Sequence, residues 1–269
     1  MDAILTGLRS GARVLDLAAQ RGSFDAKRYP VHTCRVDLDP PAPVDGAFSL
    51  RADAARLPFP DGCFDALICN HGLEHFGRLE AAIAEMGRVV RSGGVLFLTV
   101  PDAGTFTDRL YRFLARGGGH VNAFRSPREV ERIVSRITGL PSRGRRTLYT
   151  SLSFVHPANR GPRRNRRLIL LCGAGERTLR WATWLFRILD RRLGTRLAIY
   201  GWAFYFGGVG QVASAAPWTN ACVRCGAGHP SERLRADGAV KPGWAPGYAC
   251  PACGTWNLWS DDERFTGRE

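Results

Sequence analysis

Residues 14–24 read VLDLAAQRGSF, an apolar run that ends in an acidic residue and continues into a turn. This order is typical of the first strand and first turn of an open α/β sheet, after which the chain enters a helix. A second acidic strand end, Asp37, follows 19 residues after Ala18. A carboxylate at this spacing suits the two hydroxyls of a ribose. The pattern predicts a doubly wound α/β fold with a nucleotide-like ligand at its first strand ends.

Two later stretches make this prediction more specific. Residues 53–70 read DAARLPFPDGCFDALICN, and residues 88–98 read RVVRSGGVLFL. In this order and spacing the three stretches resemble the class I S-adenosylmethionine-dependent methyltransferases, in particular their small-molecule branch. The resemblance covers roughly residues 1–210 and implies a seven-stranded Rossmann-like sheet. It also implies transfer of a methyl group from S-adenosyl-L-methionine to a small-molecule or lipid-linked acceptor.

The resemblance assigns the cofactor to residues at the ends of the first four strands. One departure lies in the first turn, where the family usually has Gly-x-Gly-x-Gly and this chain has Ala18 and Gln20 at the first two glycine positions. Alanine in a left-handed conformation costs about 1 kcal/mol, so we expect either a turn of different shape or a weaker hold on the cofactor. The predicted cofactor-binding residues are Asp16, Ala18, Gly22, Asp37, Leu38, Asp53, Ala54 and Asn70.

Methyl transfer requires alignment of the acceptor with the methyl group and exclusion of water. A general base is needed only if the acceptor starts protonated. His71 directly follows the predicted fourth strand and is our first candidate for this base. His120 follows three glycines and is the second candidate, whereas Glu74 and His75 are interpreted as structural.

Two cysteine pairs near the C-terminus predict a metal site. Residues 222–226 read CVRCG and residues 250–254 read CPACG, so two matching pairs are separated by the 24 residues between Cys225 and Cys250. Four thiolates from such turns bind one zinc ion tetrahedrally. The pattern resembles a zinc ribbon and predicts a structural zinc held by Cys222, Cys225, Cys250 and Cys253. A redox dithiol is the less favoured alternative.

The predicted organisation is a methyltransferase domain over 1–210 with a helical insertion at about 156–196, a linker over 211–221, a zinc ribbon over 222–259 and a tail over 260–269. The insertion contains a helix at about 177–193 rich in arginine, tryptophan and leucine. We favour a lid over the substrate cleft, for which Trp181 and Trp184 would be buried. The alternative is a helix lying on a membrane surface, for which they would be exposed.

Composition limits the classes of partner and compartment. The 269 residues carry a net charge of +14, which favours an anionic membrane surface or, less strongly, nucleic acid; solubility alone also accounts for scattered arginines. The uncharged stretch 197–216 contains several glycines and is predicted to form the last strand rather than a membrane span. The N-terminus lacks a signal-peptide pattern, and the cysteine usage fits a reducing cytoplasm, with peripheral membrane contact left open. A second hypothesis is a degenerate methyltransferase fold that binds RNA or a protein partner through its ribbon and basic surface.

Overall fold

A computed structural model describes residues 1–19, 22–39, 43, 45–114, 119–159, 175–212 and 219–261. The chain divides into two compact units. The first unit comprises Met1–Asp102, Gly119–Arg146 and Trp202–Ser214, and the second comprises Ala103–Gly118, Thr147–Gly201 and Ala215–Glu269. This division differs from the predicted boundaries, because it groups the predicted insertion with the ribbon.

Seven strands form the main sheet in the order β3-β2-β1-β4-β5-β7-β6. They are β1 (Arg13–Leu17), β2 (His32–Asp37), β3 (Ala47–Arg51), β4 (Phe64–Asn70), β5 (Val90–Pro101), β6 (Ser142–Tyr149) and β7 (Ile199–Gly207). The helices are α1 (Asp2–Gly7), α2 (Leu79–Val89), α3 (Phe106–Leu114), α4 (Pro127–Thr138), α5 (Glu176–Leu193) and α6 (Ser231–Ala236). Short C-terminal strands are β8 (Thr219–Ala221), β9 (Gly228–Pro230), β10 (Val240–Lys241), β11 (Gly247–Ala249) and β12 (Trp256–Leu258).

The first half of the sheet is parallel and forms the centre of the first unit. Strand β1 pairs in parallel with both β2 and β4, and β4 pairs in parallel with β5. Six of the seven residues of β4 are buried, as expected for a continuous apolar run covered on both faces. The strand order reverses between β1 and β4, and a crevice at the carboxyl ends of such strands is the usual ligand site of this architecture. The predicted doubly wound α/β sheet is therefore confirmed.

At three places the structure differs from what the local sequence pattern predicts. The patterns predict a sixth strand over about 147–155, a short helix at about 24–28, and a helix that a capping box at 126–129 begins and Gly139 ends. Strand β6 begins at Ser142 rather than near residue 147, and Ser153–Val155 is a 3-10 turn rather than its end. The Arg-rich strand lacks the apolar run that identifies the central strands. Ser126 makes no side-chain capping bond to α4, although Pro127 begins that helix and Gly139, with φ of 71°, ends it as predicted. The predicted helix at 24–28 is a single 3-10 turn, Ala26–Arg28.

The second unit joins α5 to the C-terminal segment through a buried polar contact. Arg187 is fully buried, and its Nε donates a hydrogen bond to Ser260 Oγ at 2.8 Å. Arg191 Nη1 lies 3.0 Å from Asp261 Oδ1. Residues 260 and 261, predicted to begin a tail, are thus buried against this helix; residues 262–269 lie outside the described residues.

The outer face of α5 differs from the lid prediction. The Trp181 side chain is 43% exposed and Leu185 is 46% exposed, whereas a lid would bury Trp181. The burial predicted for Trp181 is therefore wrong, and Trp184 is partly buried. The predicted insertion also contains an arginine-rich stretch at 160–167, before α5, which lies outside the described residues. Within the described part of the chain, no helix has the length and apolar character needed to cross a membrane.

Candidate active site and metal centre

A cavity of about 480 Å³ opens at the carboxyl ends of β1, β2 and β3 in the first unit, a size typical of small-molecule sites. Seven of the eight predicted cofactor residues line it, and Asp16 is the exception. The lining also includes Ala19, Ser23, Phe76 and Arg78, which sequence reasoning missed. Arg78 carries no motif of its own; only its position just before α2, after the β4 loop, would have suggested it.

The turn after β1 is formed without the expected glycines. Ala18 has a φ of 57°, so an alanine occupies the left-handed conformation where the family usually has glycine. Its N–H donates to Val36 O at 2.8 Å, which ties the turn to β2. Gly22, with φ of 91°, is the glycine that this turn retains. The turn therefore keeps its left-handed step at a conformational cost of about 1 kcal/mol.

Asp16 supports this turn from below rather than lining the cavity. The carboxyl group is buried, and Oδ2 accepts a hydrogen bond from the Ser23 N–H at 2.8 Å. Burial raises the pKa of Asp16 to about 6, an effect opposed by the hydrogen bonds from Ser23 and by the nearby Arg35. Asp16 therefore holds the end of the turn in place through this hydrogen bond.

Two acidic side chains do reach the cavity. Asp37 lies at the end of β2, and its Oδ1 accepts from the Asp39 N–H at 3.2 Å. Asp53 follows β3 and accepts from the Ala55 N–H at 2.8 Å and from Arg78 Nη2 at 2.6 Å. The Ala55 N–H and then the Arg78 guanidinium lower the pKa of Asp53. Asp37 thus lies at the cavity wall, where the spacing predicts a carboxylate for a ribose, and Asp53 lines the same cavity.

His71 lies at the mouth of β4 and lines the cavity. It has a φ of 56°, and its N–H donates to Thr99 Oγ1 at 2.9 Å. Its ring Nδ1 lies 3.6 Å from Oε1 of the buried Glu74. Glu74, interpreted from the sequence as structural, therefore has its carboxylate near the ring of the candidate base.

His120 is not among the described residues that line the cavity. Its ring packs edge-on against His75, with 4.9 Å between ring centroids. His75 lines the cavity, and its Nδ1 lies 3.1 Å from Gly119 O. His120 is therefore one ring removed from the cavity wall, and its catalytic role remains a prediction.

Residues 9–98 match the family model described as a methyltransferase domain. The match begins before β1, ends within β5 and includes all the described residues that line the cavity. This segment is a class I methyltransferase domain. Over 99 residues the chain is 40% identical to a demethylmenaquinone methyltransferase of Beutenbergia cavernae, covering 34% of this chain and 41% of the relative. It is 32% identical over 148 residues to a malonyl-[acyl-carrier protein] O-methyltransferase of Methylococcus capsulatus. This match covers 48% of this chain and 54% of the relative.

A solved structure supports the same fold for the methyltransferase domain. Haemonchus contortus phosphoethanolamine N-methyltransferase 2, in complex with S-adenosyl-L-methionine, superposes with a TM-score of 0.50 at 16% identity, covering 78% of this chain and 52% of that chain. At this identity the likeness shows the fold alone. The chain spans about half the length of the curated relatives it matches.

The four C-terminal cysteines meet outside the methyltransferase domain. The sulfurs of Cys222, Cys225, Cys250 and Cys253 all lie within 4.8 Å of one another. The Sγ–Sγ distance is 3.6 Å between Cys222 and Cys253 and 3.8 Å between Cys225 and Cys250. A tetrahedral zinc with Zn–S bonds of about 2.3 Å separates its sulfurs by about 3.8 Å, so this cluster fits the ion.

Backbone and side-chain donors surround these sulfurs. The Arg224 N–H donates to Cys222 Sγ at 3.4 Å, and His229 Nε2 lies 3.2 Å from Cys250 Sγ. Gly226 and Gly254 follow the two pairs with φ of 74° and 72°, the left-handed step that lets each turn close. Donors to sulfur favour thiolates and so favour a metal site. His229 is a contact that the cysteine spacing did not predict.

Proposed function

We propose that this protein is an S-adenosyl-L-methionine-dependent methyltransferase acting on a small-molecule or lipid-linked acceptor. The observation that carries the proposal is the cavity at the ends of β1–β3, with Asp37 and Asp53 on its wall. A carboxylate after β2 suits the ribose hydroxyls, and we assign Asp37 to this role. Asp53 and Ala54 are assigned to the adenine side of the cofactor.

The chemistry needs little covalent work from the protein. S-adenosyl-L-methionine supplies an electrophilic methyl group on a sulfonium. The residues of the domain hold the acceptor in line and exclude water. We assign His71 as the base that removes a proton from the acceptor, with Glu74 orienting the ring through Nδ1. His120 remains the second candidate for this base, although its ring packs behind His75 rather than lining the cavity.

The acceptor class is proposed from the relatives. Their names include a quinone methyltransferase and an acyl-carrier-protein methyltransferase, so a lipid-like or carrier-linked acceptor is consistent with both. Demethylmenaquinone, taken from the first relative's name, is the first acceptor to test. We also propose a structural zinc ion at the cysteine cluster, supported by sulfur separations that fit tetrahedral coordination.

One observation favours the alternative of a degenerate binding protein, namely Ala18 at a usual glycine position. Its left-handed φ of 57° nevertheless forms the turn, and the turn lines an open cavity. We therefore favour the enzyme. Calorimetric titration of the purified protein with S-adenosyl-L-methionine and with its demethylated product tests the proposal. We expect both ligands to bind. If neither gives a heat of binding, the proposal that this protein is a methyltransferase is wrong.

A further inference from the structure

We propose that Trp181 and Leu185 of α5, together with Trp244 of the loop between β10 and β11, form a docking surface for an anionic lipid bilayer. All three belong to the second unit. This surface is called here the tryptophan patch. It shares no residue with the cavity lining, so vesicle binding and cofactor binding can be measured independently.

The patch is continuous and open to solvent. The rings of Trp181 and Trp244 lie 6.3 Å apart between centroids, and Trp181 packs edge-on against Trp184 at 5.4 Å. Trp244 is 88% exposed on a loop that reads PGWAP over 242–246. A tryptophan is seldom left this open, because burying one side chain contributes about 1.5–3 kcal/mol or more.

The exposed charged residues of α5 are all basic. The exposed residues of α5 share an absence of acidic side chains; they are Arg177, Thr178, Trp181, Leu185, Arg192 and Leu193. The two acidic residues of the helix, Glu176 and Asp190, both accept hydrogen bonds. Glu176 accepts from Arg180 at 2.8 Å, and the buried Asp190 accepts from the Leu197 and Ala198 N–H groups.

Position along the helix places the arginines at both ends of the apolar stripe. Arg177 precedes Trp181 by one turn, and Arg192 follows Leu185 by two turns. Strand β10 adds Lys241, which is also exposed and directly precedes the loop. Tryptophan favours the headgroup region of a bilayer, and arginine and lysine pair with anionic lipid phosphates.

The size of the patch favours a lipid surface over a protein partner. Two tryptophans and a leucine expose an area on the order of a few hundred Å². A standard protein interface uses about 800 Å² from each partner. A small apolar patch with a basic border is instead typical of an interfacial membrane contact.

Sedimentation with vesicles tests the proposal on the full chain. The wild-type protein should bind vesicles of mixed phosphatidylcholine and phosphatidylglycerol, and binding should fall with added salt and with removal of phosphatidylglycerol. The W181A/W244A variant should bind at least about tenfold more weakly. Phe48→Ala is the matched control, because Phe48 is an exposed aromatic residue on β3 in the first unit.

Three outcomes would overturn the proposal. The first is absence of wild-type binding to the anionic vesicles, and the second is equal binding to vesicles of phosphatidylcholine alone. The third is a patch variant that binds as tightly as wild type. One further result would also overturn it. If the wild-type protein binds no vesicles but is a dimer, and the W181A/W244A variant is a monomer, the patch is a contact with a second copy of the chain. Circular dichroism and calorimetric cofactor binding, unchanged in W181A/W244A, show that the variant is folded.

Discussion

The buried carboxylate of Asp16 accepts a hydrogen bond from the Ser23 N–H at 2.8 Å and thereby closes the turn that forms the cavity floor. Burial raises the pKa of this carboxyl from its ordinary value of 3.8 to about 6. The folded state therefore holds a proton more tightly than the unfolded chain. This contribution to stability is present below about pH 4 and is lost as the pH rises to about 6.

Asp16→Asn should therefore gain stability relative to wild type as the pH rises from about 4 to about 6. The shift sets an upper limit of about 3 kcal/mol for the change in this difference. Urea unfolding at several pH values, followed in both proteins, measures it. Asp39→Asn, an exposed site on the same edge, should show no such trend. A pH-independent difference between Asp16→Asn and wild type would contradict the raised pKa.

Asp37→Asn should weaken S-adenosyl-L-methionine binding about 10- to 100-fold, because a charged acceptor of hydrogen bonds is lost. The same exchange at Asp39, two residues further on, removes an equal charge outside the cavity lining. It should leave the dissociation constant within about threefold of wild type. Calorimetry measures both. Equal losses in the two variants would mean that long-range charge, rather than a contact with Asp37, drives binding.

His71→Asn should lower kcat about 10²- to 10⁴-fold while leaving cofactor affinity unchanged. Asparagine is chosen because it tolerates the left-handed backbone that His71 adopts. Glu74→Gln should lower kcat less, since the ring loses its orienting charge but keeps its place. Turnover with demethylmenaquinone, or with another acceptor once identified, measures both. A His71→Asn enzyme with wild-type kcat would exclude His71 as the base.

Cys253→Ser should remove one zinc ion per chain. Cys63→Ser, at a half-buried cysteine outside the cluster, should retain it. Because α5 contacts the C-terminal segment through Arg187 and Ser260, hydrogen exchange should rise in α5 as well as in the ribbon. Metal analysis and exchange mass spectrometry measure these effects. Full zinc content in Cys253→Ser would reject the four-cysteine site.

Asp261→Ala should destabilise the second unit by about 3–5 kcal/mol, because it leaves the buried Arg187 guanidinium without its carboxylate. Asp261 Oδ1 lies 3.5 Å from Arg187 Nη2. The double variant R187M/D261L removes this buried pair and should recover part of the loss, since Arg191, whose Nη1 lies 3.0 Å from Asp261 Oδ1, still loses that contact. Thermal unfolding of the three proteins forms the test. A double variant no more stable than Asp261→Ala would show that shape, not charge, dominates there.

The parts of the fold that local patterns determine were predictable. Continuous apolar runs predicted β1 and β4, an acidic residue at a strand end indicated Asp37, and cysteine spacing predicted that the four cysteines meet. Contacts between distant segments were not predictable. Arg187 meets Ser260 across 73 residues, and nothing in either local sequence indicates the pairing. The orientation of Glu74 toward His71 likewise depends on the 3-10 turn Leu73–His75, whose shape three residues do not reveal.

Strands β6 and β7 each contain residues of both compact units, since the boundaries fall at residues 146–147 and 201–202. The two units are therefore interleaved along the gene rather than arranged end to end. A deletion after residue 210 would remove the cysteines and also the Val223 and Asp261 side chains that pack with α5. Because the second unit consists of three separate stretches of the chain, a single recombination event could not exchange it whole. We therefore expect the three stretches to diverge together. Truncated versions for crystallisation should accordingly retain residues 103–118, 147–201 and 219–261 as a set.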